Sequence, residues 1–268
     1  MAEIVAGFGV PHTPMAPAQV EQDPNGETAQ LYRAVAEHLA AVDPDVLVVF
    51  DSDHLNTFFF NNLPTFCVGI APRTAGPNDS NAKIPRYQVP VSEPLARTVQ
   101  RTGLGQGFDL ALSQEFEVDH SILVPLHFLT PRMQVPIVPV FVNGLAPPLP
   151  LARRCYALGT MVRAAIEAWP ERARVAILAS GSFSLEVAGP RVGITDYAWL
   201  DTVLRCLRRA QVRSLLEQAT EERLLAAGNV SGELLNWIAL LGVLGKRRPV
   251  LLEPQPAQGH AYGVWRWD

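Results

Sequence analysis

Two histidines and one glutamate lie where an α/β protein places its chemistry. His12 follows the first apolar run, in GVPHTP, and His54 follows the run VLVVF, in DSDH. Both lie just past predicted strand ends, at the edge where α/β sheets bind ligands. Glu233 lies in the first turn of a predicted apolar helix, for which Ser231 is the expected N-cap. Two histidines and one carboxylate ligate iron in facial triads and equally hold catalytic zinc; alternatively, Glu233 is a surface acid that complements the helix dipole.

Two further histidines have positions compatible with proton transfer. His120 enters the apolar segment SILVPL, where it is either a hydrogen-bonded core residue or an acid–base group tuned by partial burial. His260 lies in PAQGHAYG, a predicted late loop, where the alternative is a solvated histidine. His38 lies in a helix of mixed character and His127 in the apolar segment, and both are predicted to be structural.

The segment ILASGSFSLEVAGP, residues 177–190, has the shape of a catalytic loop without an obvious catalytic group. The apolar run 175–179 is typical of a buried strand, and the small residues SGS follow it as a turn. Loops at this edge of an α/β sheet commonly carry function. The next residues include Ser184 and Leu185, and a leucine side chain neither titrates nor forms hydrogen bonds.

The elements that must position these residues alternate between strands and helices. Short, continuous apolar runs, typical of buried central strands, are predicted at residues 3–10, 45–50, 65–70, 135–142, 174–180 and 249–254. Helices are predicted at residues 27–42, 91–102, 120–129, 151–169, 197–219 and 231–245. The alternation predicts an α/β fold, a single domain over residues 1–268 with a central mixed sheet flanked by helices on both faces.

Prolines and a serine refine these predictions. Pro125 predicts an interruption of the helix at 120–129. The prolines of VPIVPVFV predict an edge strand or irregular pairing for residues 135–142. Ser92 is the expected N-cap of the helix at 91–102.

Composition excludes several classes of protein. The chain has 268 residues, of which 48% are hydrophobic, and a net charge of -4 without a basic stripe, so neither disorder nor a nucleic-acid partner is predicted. The N-terminus lacks the pattern of a secretion signal, and the apolar stretch 233–245 is too short to span a bilayer. The cysteines are far apart and odd in number, which favours free, buried thiols in the cytoplasm: Cys67, Cys155 and Cys206.

Several segments, taken in order, resemble the class III extradiol ring-cleaving dioxygenases, and among them the catalytic beta subunits of protocatechuate 4,5-dioxygenases. They are PHTP, DHLNTFFFNNLPTFCVG, EVDHSILVPL, RRCYALGTMVRAAIEAWPE, GSFSLEVAGPRVG and GELLNWIALLG. Their order and spacing are far more specific than any one of them. The resemblance implies a single α/β domain and a reaction of aromatic catabolism that opens a diol ring beside, not between, its two hydroxyls.

The resemblance also implies roles for individual residues. His12, His54 and Glu233 correspond to the family's Fe(II) ligands, and His120 to an acid near the bound dioxygen and substrate. Leu185 stands where the family has the histidine that acts as the catalytic base.

The residues predicted to surround the metal and its substrate are Asn56, Ser184 and Leu185. Because Leu185 supplies no base, another group must take part of that role. His260 is the candidate, since its segment resembles the one that closes over the substrate in the family.

Four functional hypotheses follow. The first is an iron(II) dioxygenase that opens a catechol-like or aminophenol-like ring with O2 and lacks the usual base. The others are a degenerate metal-binding subunit with little activity, a zinc hydrolase without an HExxH helix, and an active dioxygenase into which Leu185 has been introduced. Partners are predicted to be the aromatic substrate and O2, with neither nucleic acid nor membrane. The resemblance also favours a homo-oligomer or pairing with a small second subunit.

Overall fold

A mixed eight-stranded sheet runs through the computed structural model, which describes residues 1–267. The strands are β1 Glu3–Val10, β2 Val46–Asp51, β3 Phe66–Gly69, β4 Arg73–Gly76, β5 Tyr87–Pro90, β6 Ala111–Ser113, β7 Ile137–Val142, β8 Arg174–Ser180, β9 Leu251–Gln255 and β10 His260–Arg266. The order in the large sheet is β6-β3-β7-β2-β8-β1-β10-β9, and β4 pairs with β5 separately. Strands β7, β2, β8 and β1 are mutually parallel, whereas β10 is antiparallel to both β1 and β9.

Helices cover both faces of this sheet. They are α1 Ala16–Gln22, α2 Glu27–Val42, α3 Glu93–Gly105, α4 His120–Leu129, α5 Ala152–Ala168, α6 Tyr197–Arg209, α7 Val212–Gln218, α8 Glu221–Ala227 and α9 Leu234–Leu244. Side chains alternate along each strand, so Val48 and Phe50 join the core with α3, α5, α6 and α9, while Leu47 and Val49 join the core with α2 and α4. The predicted α/β class, mixed sheet and two helical layers are therefore confirmed.

The apolar helix α9 lies unusually close to α5, and this contact fixes its position. A Cβ at Gly159 of α5 would lie 1.8 Å from the Ala239 carbonyl oxygen, and one at Gly242 of α9 would lie 2.1 Å from that of Tyr156. Glycine is required at both positions because the two backbones meet there. Every residue of α9 is buried, so the turn at its N-terminus is held firmly against the sheet edge.

Three sequence predictions about proline and helix breaks need correction. Strand β7 lies between β3 and β2 rather than at an edge. Its Pro139 is tolerated because the antiparallel ladder to β3 begins one residue later, at Val140. Helix α4 continues through Pro125 without interruption. The helix predicted at residues 197–219 is two helices, because Ala210 adopts a left-handed conformation with φ of 52°.

The predicted caps and the end of the chain also differ. Ser92 is the N-cap residue of α3, as predicted, although within residues 1–267 its hydroxyl makes no capping hydrogen bond. Ser231 begins a short 3-10 turn, Ser231–Glu233, instead of capping α9. The predicted late loop holds a hairpin in which β9 leads into β10, and His260 is the first residue of β10. Strands β4, β5 and β6 and helices α1 and α8 were not predicted. Among residues 1–267, no helix is both long and apolar enough to cross a bilayer.

Candidate active site

One edge of the sheet collects most of the predicted site residues. His12 lies two residues beyond β1, and His54 three residues beyond β2. Strand β8 lies between β1 and β2, and its last residue, Ser180, pairs with Val10. His120 begins α4, and Glu233 ends the 3-10 turn that leads into α9. The parallel strands thus deliver side chains from distant parts of the chain to one place.

The Glu233 carboxylate is the centre of this cluster. Its Oε1 lies 3.1 Å from His12 Nε2 and 3.3 Å from His54 Nε2, and its Oε2 accepts a hydrogen bond of 2.9 Å from the Ser182 N–H. Gly181, with φ of 146°, allows this approach, because a Cβ there would lie 2.5 Å from the Glu233 Cβ. Burial raises the pKa of Glu233, but the two histidines outweigh burial and hold the pKa well below its usual range.

The tautomer of His12 follows from its neighbours. The Ser180 hydroxyl donates to the Ser121 carbonyl at 2.7 Å, so its proton is already used. Ser180 Oγ therefore accepts from His12 Nδ1–H, at 2.7 Å, which leaves a lone pair on His12 Nε2 facing Glu233. Burial lowers the pKa of His12, which favours this neutral form.

Pro125 explains why the Ser121 carbonyl is available to Ser180. In a helix without proline that carbonyl would accept from the N–H of residue 125, and proline has no N–H. The helix instead uses the free carbonyl as a tertiary acceptor for Ser180. A proline inside α4 thereby orients a histidine after β1.

His54 is held by a buried carboxylate. Asp119 Oδ2 accepts from the His54 N–H at 2.8 Å, from His54 Nδ1 at 3.0 Å and from the Asn56 amide at 3.1 Å. Burial raises the pKa of Asp119, but its bonds to His54 and Ser121 hold the pKa far below its usual range, so the carboxylate is an acceptor. His54 Nδ1 accordingly carries a proton, and Nε2 faces Glu233.

These groups together fit a metal ion. Two imidazole Nε2 atoms lie within 3.3 Å of one carboxylate oxygen, while each Nδ1 is fixed by a polar partner, the usual arrangement of metal-ligating histidines. Burial lowers the pKa of His54, but Asp119 and Glu233 outweigh burial and raise the pKa well above its ordinary value. The charges that attract a proton to His54 Nε2 attract a cation at the same place.

His120 lies beside this group. Its Nδ1 lies 3.1 Å from Asp79 Oδ2, and its ring stacks on His54 with centroids 4.4 Å apart. Nitrogen atoms of His12, His54 and His120 all lie within 4.8 Å of one another, so a histidine group able to bind a metal is present. Glu233 Oε1 is within hydrogen-bond distance of His12 and His54, which distinguishes these two from His120.

The other predicted site residues have mixed surroundings. Asn56 shares the Asp119 carboxylate with His54. The Ser184 hydroxyl donates to the Ala227 carbonyl and accepts from the Asp196 N–H, so it ties its loop to α8 and α6. Leu185 is partly buried, and its N–H donates to Ser231 Oγ at 3.0 Å. These contacts leave the predicted roles of the three residues as predictions.

Comparison with known proteins identifies the family of this chain. The family model described as "Catalytic LigB subunit of aromatic ring-opening dioxygenase" matches residues 6–260. The chain belongs to this family. The match of the LigB-family model includes every residue of the cluster described above.

Three curated relatives carry the name 2,3-dihydroxyphenylpropionate/2,3-dihydroxicinnamic acid 1,2-dioxygenase. The protein from Burkholderia vietnamiensis is 33% identical over 69% of this chain and 57% of its own length. The Klebsiella pneumoniae protein is 34% identical over 72% and 60%, and the one from Escherichia coli O139:H28 is 32% identical over 79% and 69%. The chain thus matches less than two thirds of the length of the first two relatives.

A solved structure shares the LigB-family fold. An uncharacterized protein, JW3007 of Escherichia coli K12, superposes with a TM-score of 0.60 over 98% of this chain and all of that one, at 16% identity. At that identity the likeness concerns the fold alone.

Residues that sequence reasoning missed support the ones it found in this LigB-family site. Ser180 orients His12, and Asp79 binds His120. Asp119 caps α4 through the Ser121 N–H and also holds His54. The signal for Asp119 was present, because an aspartate directly precedes His120 in EVDH, but its bond to His54 spans 65 positions.

Proposed function

We propose that the chain is an iron(II)-dependent ring-opening dioxygenase that acts on a catechol-like or aminophenol-like ring with O2. The observation that carries the proposal is that His12 Nε2 and His54 Nε2 lie 3.1 Å and 3.3 Å from the same oxygen of Glu233. Two histidines and one carboxylate leave open positions on a ferrous ion. Family membership and the names of the curated relatives support the same reaction class.

The ligands act by charge and by fixed orientation. His12, His54 and Glu233 would hold the ion, with the imidazole tautomers set by Ser180 and Asp119. When bound, iron supplies the Lewis acidity that acidifies a coordinated hydroxyl and the redox capacity that dioxygen chemistry needs. Adjacent oxygens, or an oxygen and an amine, on one ring suit chelation at such a site.

His120 is the proposed acid of the reaction. Asp79 fixes its Nδ1, and the stacking on His54 keeps the ring beside the ligand cluster. A donor at this place can protonate a ring-derived oxygen as the ring opens. This role requires His120 to lie outside the set of metal ligands.

Leu185 is the proposed occupant of the position of the missing base. Its backbone is tied to Ser231, two residues before Glu233, so the residue lies next to the turn that carries the carboxylate. A missing general base typically costs about 10²–10⁴-fold in rate. We propose that metal chelation and a substrate with acidic hydroxyls supply part of what Leu185 cannot.

The wider biological setting is proposed on the same grounds. Residues 1–268 would form one catalytic domain, working as a homo-oligomer or with a small second subunit. A cytoplasmic location fits the three cysteines, which are free and buried: Cys67, Cys155 and Cys206.

Metal analysis of protein purified without oxygen tests the proposal. We expect about one iron per chain, and O2 uptake with ring opening on catechol, 2,3-dihydroxyphenylpropionate or 2-aminophenol. Stoichiometric zinc without O2 uptake would instead favour a hydrolase. Bound iron without turnover on the whole panel would favour the degenerate subunit.

A further inference from the structure

His260 has a buried nitrogen that the fold leaves without a partner. The residue is 2% exposed, and its Nδ1 has no hydrogen-bond partner among residues 1–267. Its Nε2 lies 2.9 Å from Gln255 Oε1. A buried polar atom without a partner is costly, so its retention points to a ligand that satisfies it.

A chain of hydrogen bonds fixes the tautomer of His260. The Gln255 amide nitrogen donates to Glu27 Oε2 at 3.0 Å and to Thr28 Oγ1 at 3.1 Å. A carboxylate accepts and does not donate, so the amide nitrogen faces Glu27 and the amide oxygen faces His260. His260 Nε2 must therefore carry the proton, and the unpartnered Nδ1 presents a lone pair.

His260 lies near the active-site edge. Antiparallel pairing joins Gly9 of β1 to Gly263 of β10, and His12 and Glu233 are both close enough to His260 to act on it electrostatically. The carbonyl of Gly259 accepts from the N–H groups of Phe183 and Ser184, which immediately precede Leu185. His260 thus borders both the ligand cluster and the loop that lacks a base.

We propose that His260 Nδ1 accepts a hydrogen bond from an O–H or N–H group of the aromatic substrate, which makes His260 a substrate-positioning residue. The inference rests on the proposed function and names a contact of that same site. The substrate group that meets His260 is a donor, because a carboxylate would face the Nδ1 lone pair with a second acceptor. Because Nε2 already donates to Gln255 Oε1, Nδ1 of the neutral ring is free to accept.

Nitrogen-15 NMR of the imidazole rings tests the tautomer without any substrate. We expect the His260 ring to show the Nε2–H form, because Gln255 Oε1 accepts from that nitrogen. A Gln255→Met variant removes the acceptor from Nε2 and should give a mixture of tautomers. An Nδ1–H form in the parent would overturn the proposal.

Catechol binding to the iron-loaded protein under argon tests the contact itself. Loss of one hydrogen bond to a neutral acceptor should weaken binding about 3- to 10-fold in His260→Phe. His260→Asn, which keeps an acceptor near Nδ1, should bind within about threefold of the parent, as should the control His38→Phe on α2. Gln255→Met gives a second measure if His260→Phe does not fold, and it should also bind catechol more weakly.

The outcomes separate this inference from the proposed function. Unchanged catechol affinity in His260→Phe, or an equal loss in the Asn and Phe variants, overturns the acceptor role while ring opening stands. A parent protein that binds neither catechol nor 2-aminophenol overturns both. Weaker binding in His260→Phe with near-normal binding in His260→Asn supports the proposal.

Discussion

The two sides of the active-site edge are built on opposite principles. On the side of β1, β2 and α4, the Nδ1 atoms of His12, His54 and His120 each have a polar partner, and two of those partners are carboxylates. On the side of β8 and β10, Leu185 has no polar side-chain atom, and His260 Nδ1 has no partner among residues 1–267. The first side has the buried carboxylates and oriented imidazoles that suit a cation, and the second is the side where we propose that the substrate supplies the missing partner.

The difference shows which groups of the site can carry a charge while buried. Glu233 and Asp119 are both buried and ionised, which hydrogen bonds and neighbouring imidazoles make possible. Nothing comparable supports charge at Leu185, and burial disfavours a charged His260. The groups that favour charge at this edge are therefore Glu233, Asp119 and the imidazoles that they contact.

The largest effect is expected from removing a proposed metal ligand. His12→Ala removes one of two imidazole nitrogens that face Glu233, so stoichiometric iron binding and turnover should both be lost. Metal analysis of protein prepared without oxygen measures this, with His38→Ala as the matched control. One iron per chain in His12→Ala would show that His12 is not a ligand.

His120→Phe separates the acid from the ligands. The stacking on His54 can persist with a phenyl ring, so iron should stay bound while turnover falls about 10²–10⁴-fold. Metal content and O2 uptake are measured on the same sample. Loss of iron together with activity would show that His120 is a ligand. The nitrogen atoms of His12, His54 and His120 lie within 4.8 Å of one another, so the three could hold one ion.

Leu185→His sharpens the comparison by adding a titratable group to the apolar side. If Leu185 occupies the base position, a histidine there should raise turnover about 10- to 100-fold on the best catechol found. Leu185→Phe serves as a control for size without basicity. Unchanged turnover in an iron-loaded Leu185→His protein would mean that the residue is elsewhere or that the chemistry is not ring opening.

The strand ends that carry His12 and His54 could be predicted from sequence because buried strands appear as short apolar runs, and chemistry in such sheets follows those runs. Two features could not be predicted this way. His260 follows PAQG, a turn-like stretch, yet Gly259 adopts φ of 68° and lets the chain enter β10. From the local sequence, Pro125 predicted a break in the helix. Its effect is instead a tertiary contact, because it leaves the Ser121 carbonyl free to accept from Ser180 of β8.

Ser180→Ala tests the hydrogen bond that orients the His12 ring. Removing the Ser180 hydroxyl leaves His12 Nδ1–H without its acceptor, and loss of such a partner typically weakens metal binding about 10- to 100-fold. Metal affinity measured by competition with a chelator gives the value. Affinity equal to that of the parent would show that the tautomer of His12 is set without Ser180.

Pro125→Ala should have the smallest effect and a distinctive one. The new N–H at residue 125 can donate to the Ser121 carbonyl, which in the parent protein accepts from the Ser180 hydroxyl. Because a carbonyl has two lone pairs, the hydrogen bond from Ser180 should be weakened but kept. Metal affinity should therefore fall only about threefold. The same change adds a helical hydrogen bond and removes a proline from a helix interior, so the melting temperature should rise. Chelator competition and thermal unfolding of one preparation measure the two opposed shifts. A variant that gains stability with unchanged metal affinity would show that the proline shapes α4 alone, whereas a fall in both would show that α4 is packed around the proline ring.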